Sequence, residues 1–189
     1  MSMTAAYPRD LIGYGAQVPH AQWPGQARIA VQFVLNYEEG SENHIEHGDA
    51  GSEQFLSDII GAASFPDKHM SMDSMYEYGS RAGFWRIHQE FKKRQLPMTI
   101  FGVGMALARN PYIVEAIKAA NYDVVSHGQR WLHYQDMPIE QERQHMDQAI
   151  SVLETLFGKT PIGWYTGRDS PNTRKLLAEF PQIQYDCDY

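Results

Sequence analysis

Tyr122-Asp123-Val124-Val125-Ser126-His127-Gly128-Gln129-Arg130-Trp131-Leu132-His133 is a short β-branched run that passes directly into a polar cluster. Val124 and Val125 suit a strand buried in a sheet, and the cluster begins where that strand ends. In α/β proteins, chemistry sits at the ends of parallel strands. The residue four places after His127 is Trp131. A His there would let two imidazoles reach one metal from a single helical turn, whereas an indole offers only its N–H donor. A lone His beside a Trp is commonly core packing, so the weight of this stretch depends on the rest of the chain.

Upstream, Arg28–Leu35 is a nearly continuous apolar run, as expected of a strand buried on both faces, and it ends in Asn36-Tyr37-Glu38-Glu39-Gly40. Two adjacent carboxylates at a strand mouth are either a solvated turn or, in a pocket, a pair whose mutual repulsion raises one pKa and prepares a base. Met98–Val103 reads as the second strand, and Tyr122–Val125 as the third. Ile162–Tyr165 is the fourth, leaving through Thr166-Gly167-Arg168-Asp169, and Ile183–Cys187 is the fifth. Between them lie helical patterns. Ser80–Phe91 places Phe84, Ile87 and Phe91 on one face; Asn110-Pro111 supplies an N-cap and an N1 proline for a helix to Ala120. Pro138 opens a longer helix with Met146, Ile150, Leu153 and Phe157 inward, closed by Gly158, and Pro171–Leu177 turns into another. Residues 1–27, rich in Pro and Gly, read as an arm packed over the domain. The stretch 40–78 is an insertion over the strand ends, containing one helix at Ser52–Ile60; so long an excursion in a compact domain usually serves as a lid or a binding surface.

Strand alternating with helix at this spacing predicts βαβ units and a parallel sheet. The ionisable clusters all fall at strand exits: Glu38 and Glu39, His127, Arg168 and Asp169, and Asp188. Parallel strands point the same way, so these exits share one face, as the catalytic residues of a barrel do.

Composition narrows the function. With 189 residues the chain is large enough for one sizeable core and predicts a single domain. A formal charge of −7 without any Lys/Arg-rich run argues against nucleic acid as a partner. No apolar run is long enough to span a bilayer, and the N-terminus lacks the basic and apolar regions of a signal peptide, so the expectation is a cytoplasmic protein without a membrane partner. One cysteine, Cys187, allows neither an internal disulfide nor a Cys-rich zinc site.

These residues resemble the polysaccharide-deacetylase superfamily and, within it, the metal-independent allantoinases. The superfamily's adjacent aspartates at the first strand end correspond to Glu38-Glu39. Its histidine pair, four apart, corresponds to Ser126-His127 with Trp131 in the second position. The likeness extends over Tyr7–Gly15, Met70-Ser71-Met72, Tyr76–Gly83 and Gly163-Trp164-Tyr165-Thr166-Gly167-Arg168. It implies a (β/α) barrel of the NodB-like type, present here as an N-terminal portion with an inserted lid or oligomerisation segment. The implied activity is a hydrolase acting on C–N bonds of cyclic amides, opening allantoin to allantoate without metal or other cofactor. It implies Glu38, Glu39 and His127 as catalytic residues, with Glu38 favoured as the base, and Trp131, Tyr165 and Arg168 as substrate-binding residues. Its partners would be a small cyclic ureide or imide and further copies of the chain, forming a tetramer. Cyclic-imide hydrolases look similar at the same motifs. The rivals are a metal-dependent sugar N-deacetylase, which Trp131 disfavours, and a truncated non-enzymatic subunit.

A barrel of this class typically needs about 250 residues, and closing it removes the exposed strand edges. Residues 1–189 alone are therefore expected to be poorly stable or to aggregate, and to hydrolyse little allantoin. Adding a C-terminal barrel portion in cis or in trans should recover both properties. A monodisperse chain with a sharp thermal transition and full turnover would overturn this expectation.

Overall fold

The computed structural model describes residues 9–188. The chain divides between Gln32 and Phe33 into two units. The described part of the first unit is irregular, with a single 3₁₀ turn at Pro24–Gln26 and no strand, in keeping with its prolines and glycines. The Tyr7-Pro8 pair that opens the resemblance lies outside the described residues.

The second unit is built on five parallel strands: β1 (Val34–Tyr37), β2 (Thr99–Gly102), β3 (Asp123–Ser126), β4 (Gly163–Trp164) and β5 (Tyr185–Asp186). They lie side by side in chain order. A doubly wound sheet reverses its order at a switch point; this one does not, so it winds in one direction as barrel strands do. Around it are α1 (Met70–Tyr78), α2 (Phe84–Arg94), α3 (Gly104–Ala108), α4 (Pro111–Ala119), α5 (Ile139–Phe157) and α6 (Thr173–Leu177). The α/β parallel-sheet fold is the one expected, and its described portion is an open sheet edged by β1 and β5.

Register decides which side chains face which way. Leu35, Ile100 and Val124 are aligned across β1–β3, as are Asn36, Phe101 and Val125 one residue on. Successive residues alternate faces, so the first row points to the helices and the second to the opposite side. The helix side is the main core, where Tyr37, Ile100 and Val124 pack with Leu107, Ile113, Ile117 and Leu153. A second cluster joins Met146 and Ile150 of α5 to Trp164, Leu176, Leu177 and Phe180. Local signals act as read: Asn110 caps α4 by accepting from the Ile113 amide, and Gly158 ends α5 in the left-handed region at φ 70°.

Four expectations are corrected. The first strand is Val34–Tyr37 and not Arg28–Leu35, and Ile29 and Val31 are exposed. An apolar run becomes a strand only where a ladder is available; β2 begins at Thr99, whose amide bonds to the Phe33 carbonyl, and pairing runs onward from there. Ser52–Ile60 is a series of turns and not a helix, because Phe55, Ile59 and Ile60 have no core face to bury and the Glu53 carboxylate takes up the amides of Gln54 and Phe55. On α2 the buried residues are Phe84 and His88, with Ile87 partly exposed. Helix α1 lies in the stretch 40–78, where the helix expected was Ser52–Ile60, and α3 lies in 104–109, for which no element was expected.

Leu153 is 1% exposed at the centre of the main core, whereas Ile139 at the start of the same helix is 42% exposed. Leu153→Ala should lower unfolding stability by about 2–5 kcal/mol in chemical denaturation, and Ile139→Ala by no more than about 0.5 kcal/mol. Equal effects would contradict the assignment of the helix face.

Candidate active site

Tyr37, Gly102, Ser126, Trp164 and Asp186 form the last row of the register. The next residues on β1, β3 and β4 are Glu38, His127 and Tyr165, and one step along each strand turns the side chain to the face away from the helices. Three residues far apart in the chain thus meet at one level. Glu38 and His127 line a cavity of about 410 Å³ together with Asn36, Trp131, Tyr165 and Arg168.

Within it the hydrogen bonds hold the imidazole and the carboxylate in place. His127 Nδ1 lies 3.1 Å from the Tyr165 carbonyl, which can only accept, so Nδ1 carries hydrogen. Its Nε2 lies 2.9 Å from Glu38 Oε1, within hydrogen-bond distance. Asn36 Nδ2 donates to the same Oε1 at 3.0 Å. Glu38 Oε2 takes no protein hydrogen bond among the described residues and is the oxygen left for a water or substrate. The imidazole, 2% exposed, cannot rotate without losing one of its two partners.

Trp131 forms one wall. Its ring meets Phe55 edge-on at 5.4 Å, and the Arg168 guanidinium lies over it at 3.5 Å. Arg168 donates through Nη1 to Glu53 Oε2 at 3.0 Å, both side chains being almost fully buried. Burial alone would push the Glu53 carboxyl up, but bonds from Arg168 and Asn43 and the charge of Arg168 outweigh it, holding it below the usual carboxylate range. The loop carrying Arg168 is pinned at three points. Asp188 accepts from the amides of Thr166 and Gly167, the Arg168 carbonyl accepts from Tyr134, and the fully buried Glu142 of α5 accepts from Ser170 and Thr173. Gly167 has φ 70° and lies against the Tyr165 ring, where a Cβ would collide.

The structure brings together Glu38, His127, Trp131, Tyr165 and Arg168 and places Glu39 elsewhere. One residue beyond Glu38, Glu39 faces the helix side and lines a separate cavity of about 320 Å³ with Tyr37, Glu42, Tyr76 and Asn110. Its carboxylate accepts from the Glu38 amide at 3.0 Å and lies where a Cβ on Gly79 would displace it. Sequence reading missed Glu53, Phe55 and Asn36. Glu53 stands 115 residues from Arg168 in a turn-rich stretch, and no spacing announces the pairing.

A metal does not fit this set. The position of a second histidine is held by Trp131, and a divalent ion beside its ring would meet the guanidinium fixed above it. Among the described residues no three His, Cys, Asp or Glu side chains converge so as to hold a metal ion.

Residues 66–185 match the Polysaccharide deacetylase family model. The chain belongs to the polysaccharide deacetylase family. Similar solved structures include that of PuuE allantoinase, with 54% identity, TM-score 0.90 and coverage of 97% of this chain and 61% of the other. A polysaccharide deacetylase-type protein from Pseudomonas aeruginosa PAO1 is likewise 54% identical with TM-score 0.90, covering 95% of this chain and 60% of the other. A Schizosaccharomyces pombe (strain 972 / ATCC 24843) protein named for the same family is 39% identical over 96% of this chain and 61% of its own length. The chain thus spans about three fifths of the length of these relatives. The family and these neighbours make it a hydrolase-family chain. Among its described residues no helix is long and apolar enough to cross a membrane.

Glu39 carries a measurable signature. Burial pushes its carboxyl up to about 7, the Glu38 amide opposes this, and the charges of Glu38 and Glu42 add to it. With the folded value above the unfolded one, the native state binds more protons between about pH 4.5 and 7, so stability falls as pH rises through that window. Glu39→Gln should therefore gain stability relative to the wild type between pH 5 and pH 8. A difference in melting temperature that stays flat across that range would contradict the placement.

Proposed function

We propose that this chain carries the catalytic face of an allantoinase, hydrolysing the five-membered ring of allantoin to allantoate without a metal. The observation that carries the reading is the Glu38–His127 pair, with one carboxylate oxygen left open to a cavity whose other wall is Arg168 on Trp131. The 54% identity to PuuE allantoinase supports it.

Glu38 Oε2 takes a proton from a water, and the water oxygen attacks a ring carbonyl. The carbonyl oxygen gains negative charge, which the N–H donors of Arg168 stabilise. The ring C–N bond then breaks, and the proton held by Glu38 passes to the departing nitrogen, leaving a carboxylic acid that ionises. His127, held by the Tyr165 carbonyl, keeps the Glu38 carboxylate oriented through its contact at Oε1. Phe55 offers an exposed apolar ring at the cavity, and Trp131 backs the Arg168 guanidinium. The same geometry serves a cyclic imide, so the two substrates are separated by assay. A sugar N-deacetylase is disfavoured by the poor metal-ligand set.

Purified protein assayed on allantoin, succinimide and N-acetylglucosamine oligomers, with and without chelator, tests this reading. Activity is expected on allantoin, unchanged by chelator; one zinc per chain, lost together with activity, would sink it. In an active form, Glu38→Gln should lower kcat by about 10²-fold or more, the usual worth of a positioned base. A nearly wild-type Glu38→Gln beside an inactive Glu39→Gln would reverse the assignment within the pair.

A further inference from the structure

Arg168 is an unusual group to leave beside a reaction that makes an acid. Opening a cyclic amide converts a neutral carbonyl into a carboxylate, and an unpaired guanidinium grips a carboxylate through two parallel hydrogen bonds. The fork that stabilises the oxyanion would then also hold the product. In this chain the guanidinium is already engaged. Glu53 accepts from Nη1 at 3.0 Å, Trp131 lies against one face at 3.5 Å and Phe55 is 5.3 Å away. The remaining N–H donors take no protein partner among the described residues, and Arg168 lines the cavity shared with Glu38 and His127.

Glu53 is itself firmly held. Asn43 donates to its Oε2, and the amides of Gln54 and Phe55 donate to its Oε1. The segment that carries it closes on itself at its neck: the Ser52 amide donates to the Phe65 carbonyl, the Phe65 amide to Ser52 Oγ, and Ser64 Oγ to the Ser52 carbonyl. Residues 53–63 thus form a strap with a hydrogen-bonded base. One turn of it supplies both the counter-charge and the Phe55 ring.

We propose that Glu53 is a positioning residue that neutralises Arg168, so that the site offers hydrogen-bond donors to a neutral ring carbonyl without capturing the carboxylate that ring opening produces. The inference rests on the ring-hydrolase reading only in naming the product as a carboxylate. Its consequence is a selectivity: neutral cyclic ureides and imides are bound, and their ring-opened anions are let go.

The probes are hydantoin and its ring-opened form, N-carbamoylglycine, measured by calorimetry against the wild type, Glu53→Gln and Glu53→Asp. Glu53→Gln keeps the volume and one acceptor for Arg168 but removes the charge. It should bind N-carbamoylglycine about tenfold or more tighter than the wild type, while Glu53→Asp stays close to the wild type. The Arg168 Nε–H resonance, assigned by its loss in Arg168→Lys and shifted by the Trp131 ring, reports whether the stack survives. An intact stack in Glu53→Gln with no gain in anion affinity overturns the proposal. In the wild type, which needs no variant to fold, saturable sub-millimolar movement of that resonance by N-carbamoylglycine also overturns it; no movement supports it. If the wild type ignores hydantoin while Glu53→Gln captures N-carbamoylglycine, the neutralising role stands and the ring-hydrolase reading falls.

Discussion

The two-residue period of parallel strands in fixed register is the constraint on which this site depends. Tyr37, Ser126 and Trp164 are held level by the sheet and point into the helix-side core. That anchoring forces Glu38, His127 and Tyr165 to the opposite side at one height. A slip of one residue in β1 would exchange Glu38 for Glu39 at the cavity and expose Tyr37. The buried aromatic at position 37 therefore selects which carboxylate meets the imidazole, and burial of Trp164 does the same for the carbonyl that locks its tautomer.

Charge around the cavity is arranged in pairs. Glu38 faces His127, Glu53 faces Arg168, and Asp49 faces Arg130 in a bidentate pair that also ties down the turn after β1. Buried charges are tolerated when each has a partner and its remaining lone pairs are satisfied, and Glu53, with four donors, meets that condition. Glu39 lacks a cationic partner close by and responds by holding its proton to a higher pH. Adjacent carboxylates of one chemical type are thus divided by environment into a group beside His127 and a proton-retaining group on the helix side of the sheet.

Much of the framework was legible in the sequence because it rests on local rules. The Asn110-Pro111 start of α4, the Gly158 stop of α5 and the apolar stripe of Met146, Ile150 and Leu153 need only nearest-neighbour geometry and a 3.6-residue period. The strand exits were legible for the same reason, and so was the meeting of Glu38, His127, Trp131 and Arg168 on one face. The stretch 28–35 was misread because an apolar run does not reveal where its neighbour strand begins, and 52–60 because polar turns with scattered Leu and Ile imitate a helix.

By itself the sequence determined the alternation of strand and helix, the position of ionisable residues at the strand ends, and a tryptophan four residues after His127. Those follow from residue type and spacing, which act over a few residues. Only the tertiary structure decided that Glu38 and not Glu39 meets His127, that Asn36 shares its oxygen, and that a carboxylate 115 residues away neutralises Arg168. Register, pleat and the path of the 40–78 segment set those distances, and each is fixed by packing between parts of the chain that no local period connects.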